Sequence, residues 1–177
     1  MKDWRDFDPA NPHAFLSYVR KDDEYLHGGI TWLRRALESA VGTLTASQFL
    51  IFQDVEHIGL GQTWLKKLDQ ALEAAPLFIP VLTPRFFASS FCRHEVESFL
   101  DYEARADRDD LILPIYLIEA EAFDTPWLRA QDEIATKIRE RQFDDWRDLK
   151  DTLFDRGPRA RVEKVARAIA EASRRQV

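Results

Sequence analysis

The sequence predicts an α/β fold: a doubly wound, parallel five-stranded sheet with helices on both faces. Three observations carry this expectation. Short, wholly apolar runs bounded by polar turns recur along the chain, as they do in strands buried on both faces. Each of the first three runs is followed by a segment whose apolar residues repeat at helical spacing. This alternation implies right-handed strand-helix-strand crossovers, which distribute the helices over the two faces of one sheet.

Taken in order, residues 1–13 are polar with two prolines and read as a lead-in, after which residues 14–177 form a single domain. The run AFLSY at 14–18 is the first strand, and it ends in a charged loop at 19–23. Gly28 and Gly29 precede a helix in which Ile30, Leu33, Leu37, Ala40 and Val41 share one stripe. FLIF at 49–52 is the second strand, closed by Gln53 and Asp54. A loop at 55–62 carries Gly59 and Gly61, and a helix follows with Leu65, Leu68, Leu72 and Ala75 on one face before Pro76 stops it. LFIPVL at 77–82 is the third strand, which delivers the chain through Thr83 and Pro84 into a polar turn. The next helix opens near Ser89 or Ser90, with Ser90 as the expected cap and Cys92, Val96, Phe99 and Leu100 as its core stripe.

Residues 111–117 predict a fourth strand, in which Pro114 argues for an edge or a bulge. Beyond it the pattern weakens to a turn at 124–127, a short helix at 132–141 and a brief fifth strand at 141–146. The final helix is clear, with Val162, Val165, Ala166, Ile169 and Ala170 in one stripe. It ends in Arg174, Arg175, Gln176 and Val177 with no stop motif, which fits one part of a longer multidomain effector. The common order for such a sheet is 2-1-3-4-5, the flavodoxin-like arrangement.

Composition narrows the function. With 45% apolar and 12% aromatic residues the chain can bury a full core. Its net charge of -6 comes from 31 acidic and 25 basic residues mixed along the sequence, which leaves no basic stripe for nucleic acid and no polybasic cluster for lipid. Cys92 is the single cysteine, so an internal disulfide and a multi-cysteine zinc site are both excluded, as suits a reducing compartment. Its expected role is that of a small buried residue. The N-terminus has no apolar signal core, and the longest apolar runs span about eight residues against the roughly 18 to 20 of a membrane helix. The expected location is the cytoplasm. His13, His27, His57 and His94 show no paired ligand spacing, so neither a metal nor a bound cofactor is expected.

In doubly wound sheets ligands bind beyond the carboxyl ends of the strands at the point where the order reverses, here between the first and third strands. That rule selects Ser17, Tyr18, Arg20 and Lys21 after the first strand, Asp54 after the second, and Phe91 and Glu95 on the helix after the third. On its own segment, a Glu early in a helix is an electrostatic partner of the helix dipole. Several occupants of the crevice fail. A dinucleotide loop requires GxGxxG where this chain has VRKDD at 19–23, a receiver requires an Asp closing the third strand where Leu82 and Thr83 stand, and GxSxG is absent.

AFLSY at 14–18, IFQDVEHIGLGQTW at 51–64, IPVLTP at 79–84, SSFCRHE at 89–95 and LPIY at 113–116 together resemble a TIR (Toll/interleukin-1 receptor) domain of the bacterial, NAD-cleaving kind. The resemblance covers residues 14 to about 118 well and the last third only loosely. It implies that the second-strand loop is the self-association loop beside the active site, with Ile58, Gly59, Leu60 and Gly61 at its centre. It also implies that Glu95 is the catalytic Glu of the third helix, and that Phe91 stands where the family often carries Trp. The implied activity is that of an NAD+ nucleosidase, cleaving the nicotinamide-ribose bond to give ADP-ribose or a cyclic isomer, in bacterial immune defence or signalling. The implied partners are NAD+ as substrate and other TIR domains in homotypic, filament-like assembly.

The chemistry agrees with that resemblance. Nicotinamide leaves as a neutral base and needs no protonation, while ribose C1 becomes oxocarbenium-like, so one ionised carboxylate can suffice. Ser17, Tyr18 and Arg20 would line the first-strand side, with Arg20 or Lys21 meeting phosphate. Asp54 has two readings, a substrate ligand or a cap for its own loop, and Trp64 fits packing better than a substrate platform. Two alternatives stand beside the enzyme: a non-catalytic TIR module that signals by proximity, and a nucleoside deoxyribosyltransferase-like enzyme, which gives no reason for the glycine-bearing loop.

Overall fold

The computed structural model describes residues 12–53, 76–152 and 158–175. Five strands form one sheet: β1 (Ala14–Ser17), β2 (Ile51–Gln53), β3 (Phe78–Leu82), β4 (Ile115–Tyr116) and β5 (Asp144–Asp145), in the order β2-β1-β3-β4-β5. Every neighbouring pair is parallel, as the sequence predicted. The described helices are α1 (Arg20–Tyr25), α2 (Gly29–Thr45), α3 (Pro84–Ala88), α4 (Ser90–Ala106), α5 (Glu121–Asp124), α6 (Pro126–Arg129), α7 (Glu133–Arg139) and α8 (Arg159–Arg174). The expected loop at 55–62 and the helix carrying Leu65, Leu68, Leu72 and Ala75 lie outside the described residues.

Strand alternation sorts the core into two layers. Ala14, Leu16, Ile79, Val81 and Ile115 face α2 and α8, packing on Ile30, Leu33, Leu37, Val41, Val165 and Ile169. Phe15, Phe78, Leu82 and Tyr116 face the other way, onto Phe86, Val96, Phe99, Phe123 and Ile138 from α3, α4, α5 and α7. This second layer is rich in rings: Phe15, Phe78 and Phe99 stack in series with centroids 5.9 and 4.6 Å apart. Each such side chain contributes about 1.5–3 kcal/mol through burial.

Local chemistry explains where the elements start and stop, and in several places it departs from the sequence reading. The expected charged loop at 19–23 is the start of α1. Its amides turn back on Val19, with Asp22 N donating to the Val19 carbonyl at 2.8 Å. α2 is capped from a distance. Gly28 takes the positive φ of 84° that brings the chain round, and the Asp23 carboxylate accepts from Ile30 N at 2.8 Å and Thr31 N at 3.0 Å. The expected polar turn after β3 is the short helix α3, in which the Thr83 hydroxyl accepts from Phe86 N and Pro84 occupies the first turn. Ser89, not Ser90, caps α4, accepting from Cys92 N at 3.3 Å.

The fourth strand is shorter than residues 111–117. It opens with one bridge, Phe78 to Ile112, breaks, and resumes at Val81 to Ile115. The register offset is the same on both sides of the break, so Pro80 and Pro114 stand opposite each other with no N–H to give. Pro114 therefore interrupts the ladder, but β4 is an interior strand and not an edge. The first described residues already join the sheet: Pro12 is buried and His13 N donates to the Leu50 carbonyl at 3.0 Å.

Candidate functional site

Alternation along β1 turns Phe15 and Ser17 toward α4, and Ser17 pairs in register with Pro80 of β3. On α4, Cys92, Val96 and Phe99 form the buried stripe and Glu95 lies at its border, only 5% exposed. The two elements meet where the buried Ser17 hydroxyl donates a hydrogen bond to Oε2 of Glu95. Glu95 is the sixth residue of α4, beyond the first turn where the helix dipole acts strongly. The serine hydroxyl, rather than the helix N-terminus, is therefore a direct partner that helps to hold the carboxylate. A carboxylate oriented at this edge has the chemistry to meet sugar hydroxyls or a developing cation.

A second polar group lies at the same edge of the sheet. Asp22, 1% exposed on α1, accepts from the Thr83 hydroxyl at 2.6 Å and from Arg85 Nη1 at 2.8 Å. Asp23 points to the opposite side, where the Thr31 hydroxyl donates to it at 2.7 Å and in turn accepts from Gln53 Nε2 at 3.0 Å. Gln53 Oε1 accepts from Arg34 Nε at 2.7 Å, and Arg34 is paired with Glu38 at 2.9 Å. Two adjacent aspartates thus tie α1 to the end of β3 on one side and, through α2, to the end of β2 on the other.

The sequence-nominated residues separate into four groups. Ser17 and Glu95 touch. Tyr18 sits at the edge but packs on the α2 layer, and its carbonyl oxygen lies 3.9 Å from the Cys92 thiol. Arg20 and Lys21 are exposed on α1, where Arg20 pairs with Glu24 at 3.2 Å, and Phe91 is exposed on the first turn of α4. Asp54, Ile58, Gly59, Leu60, Gly61 and Trp64 lie outside the described residues. Sequence reasoning missed Asp22, Thr83 and Arg85 as a group. Their one signal was position, since all three fall within a few residues of a strand's carboxyl end.

Flanking groups hold this edge rigid. Arg93, two residues before Glu95, is bidentate to Asp132 at 2.8 and 3.0 Å. Burial pushes the Asp132 carboxyl up, but Arg93 and the backbone amides of Ala135 and Ile134 outweigh it and hold the group below its ordinary value. At the end of β4 burial raises the Tyr116 phenol strongly, and its hydroxyl donates to Asp124 at 2.7 Å. Among the described residues no cluster of three His, Cys, Asp or Glu side chains is arranged to hold a metal ion, and no helix is long and apolar enough to cross a membrane. A groove of about 860 Å³ between α2 and α8, lined by Trp32, Leu44, Val162 and Arg167, belongs to the opposite face from Glu95.

The family model of the TIR domain matches residues 14–156. Among solved structures, the TIR domains of the activated Roq1 resistosome directly recognizing the pathogen effector XopQ align at 16% identity, covering 91% of this chain and 82% of that one, with a TM-score of 0.47. No curated protein matches the chain. The family match spans the whole sheet and the helix that carries Glu95, and the chain therefore belongs to the TIR domain family.

Proposed function

We propose that this TIR domain is an NAD+ glycohydrolase that acts in the cytoplasm, is activated by self-association, and serves bacterial immune defence or signalling. The observation that supports it is the buried contact between Ser17 and Glu95 at the switch point of the sheet. In this reading the bond between ribose C1 and the nicotinamide nitrogen breaks with its electron pair passing to nicotinamide. Water or a ring nitrogen of the same molecule then attacks C1, giving ADP-ribose or a cyclic isomer. Glu95 stabilises the positive charge on the ribose, more in the transition state than in bound NAD+. Its hydrogen bond from Ser17 fixes the carboxylate before substrate arrives, so no reorganisation is needed at the moment of bond cleavage. Asp54 and Phe91 would complete the substrate walls, and no metal or bound cofactor takes part.

Nicotinamide release from NAD+ by concentrated protein tests this directly, with Glu95→Gln as the control. The substitution keeps the acceptor for Ser17 and removes the charge, so turnover falls about a hundredfold or more. A folded Glu95→Gln protein with near-normal turnover would remove Glu95 from the reaction. No release by the unaltered chain at any concentration would leave the proximity-signalling module as the function.

A further inference from the structure

We propose that Arg85 is the cation that receives the diphosphate of the substrate at this site, with Asp22 as its positioning residue. The proposal rests on the NAD+ glycohydrolase reading and adds a binding residue which the sequence did not nominate. Arg85 leaves the carboxyl end of β3, the strand that pairs with β1, and its partner Asp22 lies five residues beyond Ser17. The switch-point edge that holds Glu95 therefore also holds Arg85.

Its anchoring suits anion binding. Asp22 is buried and spends one oxygen on the Thr83 hydroxyl and the other on Nη1 of Arg85. The guanidinium is thus fixed by one nitrogen, while the side chain remains 55% exposed. A planar fork held from behind keeps donors for a second anion and loses little freedom on binding it. The other arginines nearby are placed differently. Arg93 commits both terminal nitrogens to Asp132. Arg20 pairs with Glu24 where both side chains are more than 60% exposed, so that contact orients it weakly. In a chain of net charge -6, an oriented cation at this edge also offsets the general repulsion of the substrate's doubly charged diphosphate.

The competing role for Arg85 is to neutralise the buried Asp22 and nothing more, and a double substitution separates the two. Arg85→Gln alone leaves a buried carboxylate without its ion pair, whereas Asp22→Asn with Arg85→Gln removes both charges together. Steady-state nicotinamide release is measured at one fixed protein concentration for the full chain and both variants, with folding checked by circular dichroism. If Arg85 binds the diphosphate, KM for NAD+ rises about tenfold or more in both variants, the size of one charge-assisted hydrogen bond, while kcat changes less than about threefold. Inhibition by ADP, but not by adenosine, weakens in parallel. Return of KM to the unaltered value in the double variant, or an unchanged ADP to adenosine ratio, overturns the proposal while leaving the glycohydrolase intact. Absence of cleavage by the unaltered chain removes that reading and this assignment with it.

Discussion

Ser17 and Glu95, 78 positions apart in sequence, share one buried hydrogen bond in which the serine hydroxyl donates to the carboxylate. The order β2-β1-β3 makes this contact possible, because it sets the end of β1 beside the strand that feeds α3 and α4. A hydroxyl at this position orients the carboxylate without neutralising it, whereas a lysine or arginine there would cancel the charge that the proposed chemistry uses.

Ser17→Ala removes that donor. A hydrogen bond to a charged group contributes about 1.5–3 kcal/mol, so turnover of NAD+ should fall roughly tenfold to a hundredfold. Thermal unfolding of the variant measures the share that belongs to stability. If turnover is unchanged, the contact is a packing detail and Glu95 is held in place by other means.

Assembly should control activity through residues 55–62. Ile58 and Leu60 are apolar positions that alternate with Gly59 and Gly61, in a stretch with no helix or strand period to bury them. A loop that docks on a different surface of the next copy makes head-to-tail contacts, which propagate into open filaments unless they close a ring. Specific activity should rise with protein concentration, and Ile58→Asp should lower both assembly and cleavage. Flat activity across roughly a hundredfold dilution, with light scattering reporting a monomer throughout, defeats the prediction.

Glu103→Ala should destabilise the fold without touching the site. Glu103 is buried on α4, where it accepts from Leu111 N at 2.8 Å and Ile112 N at 3.1 Å and pairs with Arg141 at 2.6 Å. It fastens the end of α4 to the chain entering β4. Removing one partner of such a buried pair costs about 3–5 kcal/mol, which urea unfolding would register. Nicotinamide release per folded molecule should stay near that of the unaltered chain.

Acid should weaken the fold through its depressed carboxylates. Asp110 beside Arg108, Asp145 beside Arg147 and Asp132 beside Arg93 are held below their ordinary 3.8. A carboxyl whose folded pKa is lowered adds stability that is fully present above its unfolded value, and that stability is lost as pH falls through the folded value. Asp132→Asn should therefore lower the melting temperature near neutral pH, and the gap to the unaltered chain should close from about pH 4 downward. A gap that persists unchanged at low pH would assign the effect to lost packing.

The sequence by itself determined the layered architecture of this protein. Apolar strand runs and helical stripes act over a few residues, and the alternation of strands and helices selects a parallel sheet with reversed order at its centre. The Glu at the crevice was legible for the same reason, since position after a strand's carboxyl end is a local property. Tertiary structure decided which side chains meet there. Strand alternation sends Ser17 to Glu95 and Tyr18 to the opposite layer, a one-residue difference that the apolar pattern of AFLSY does not resolve. Asp22 and Asp23 look alike in sequence as members of a charged run, yet one is buried against Thr83 and Arg85 while the other caps α2. The buried carboxylate of Asp22 relies on donors 61 and 63 residues away, and that of Glu103 adds Arg141, 38 positions on, to two nearby amides. Such pairing is set by the packing of whole elements, and no local periodicity encodes it.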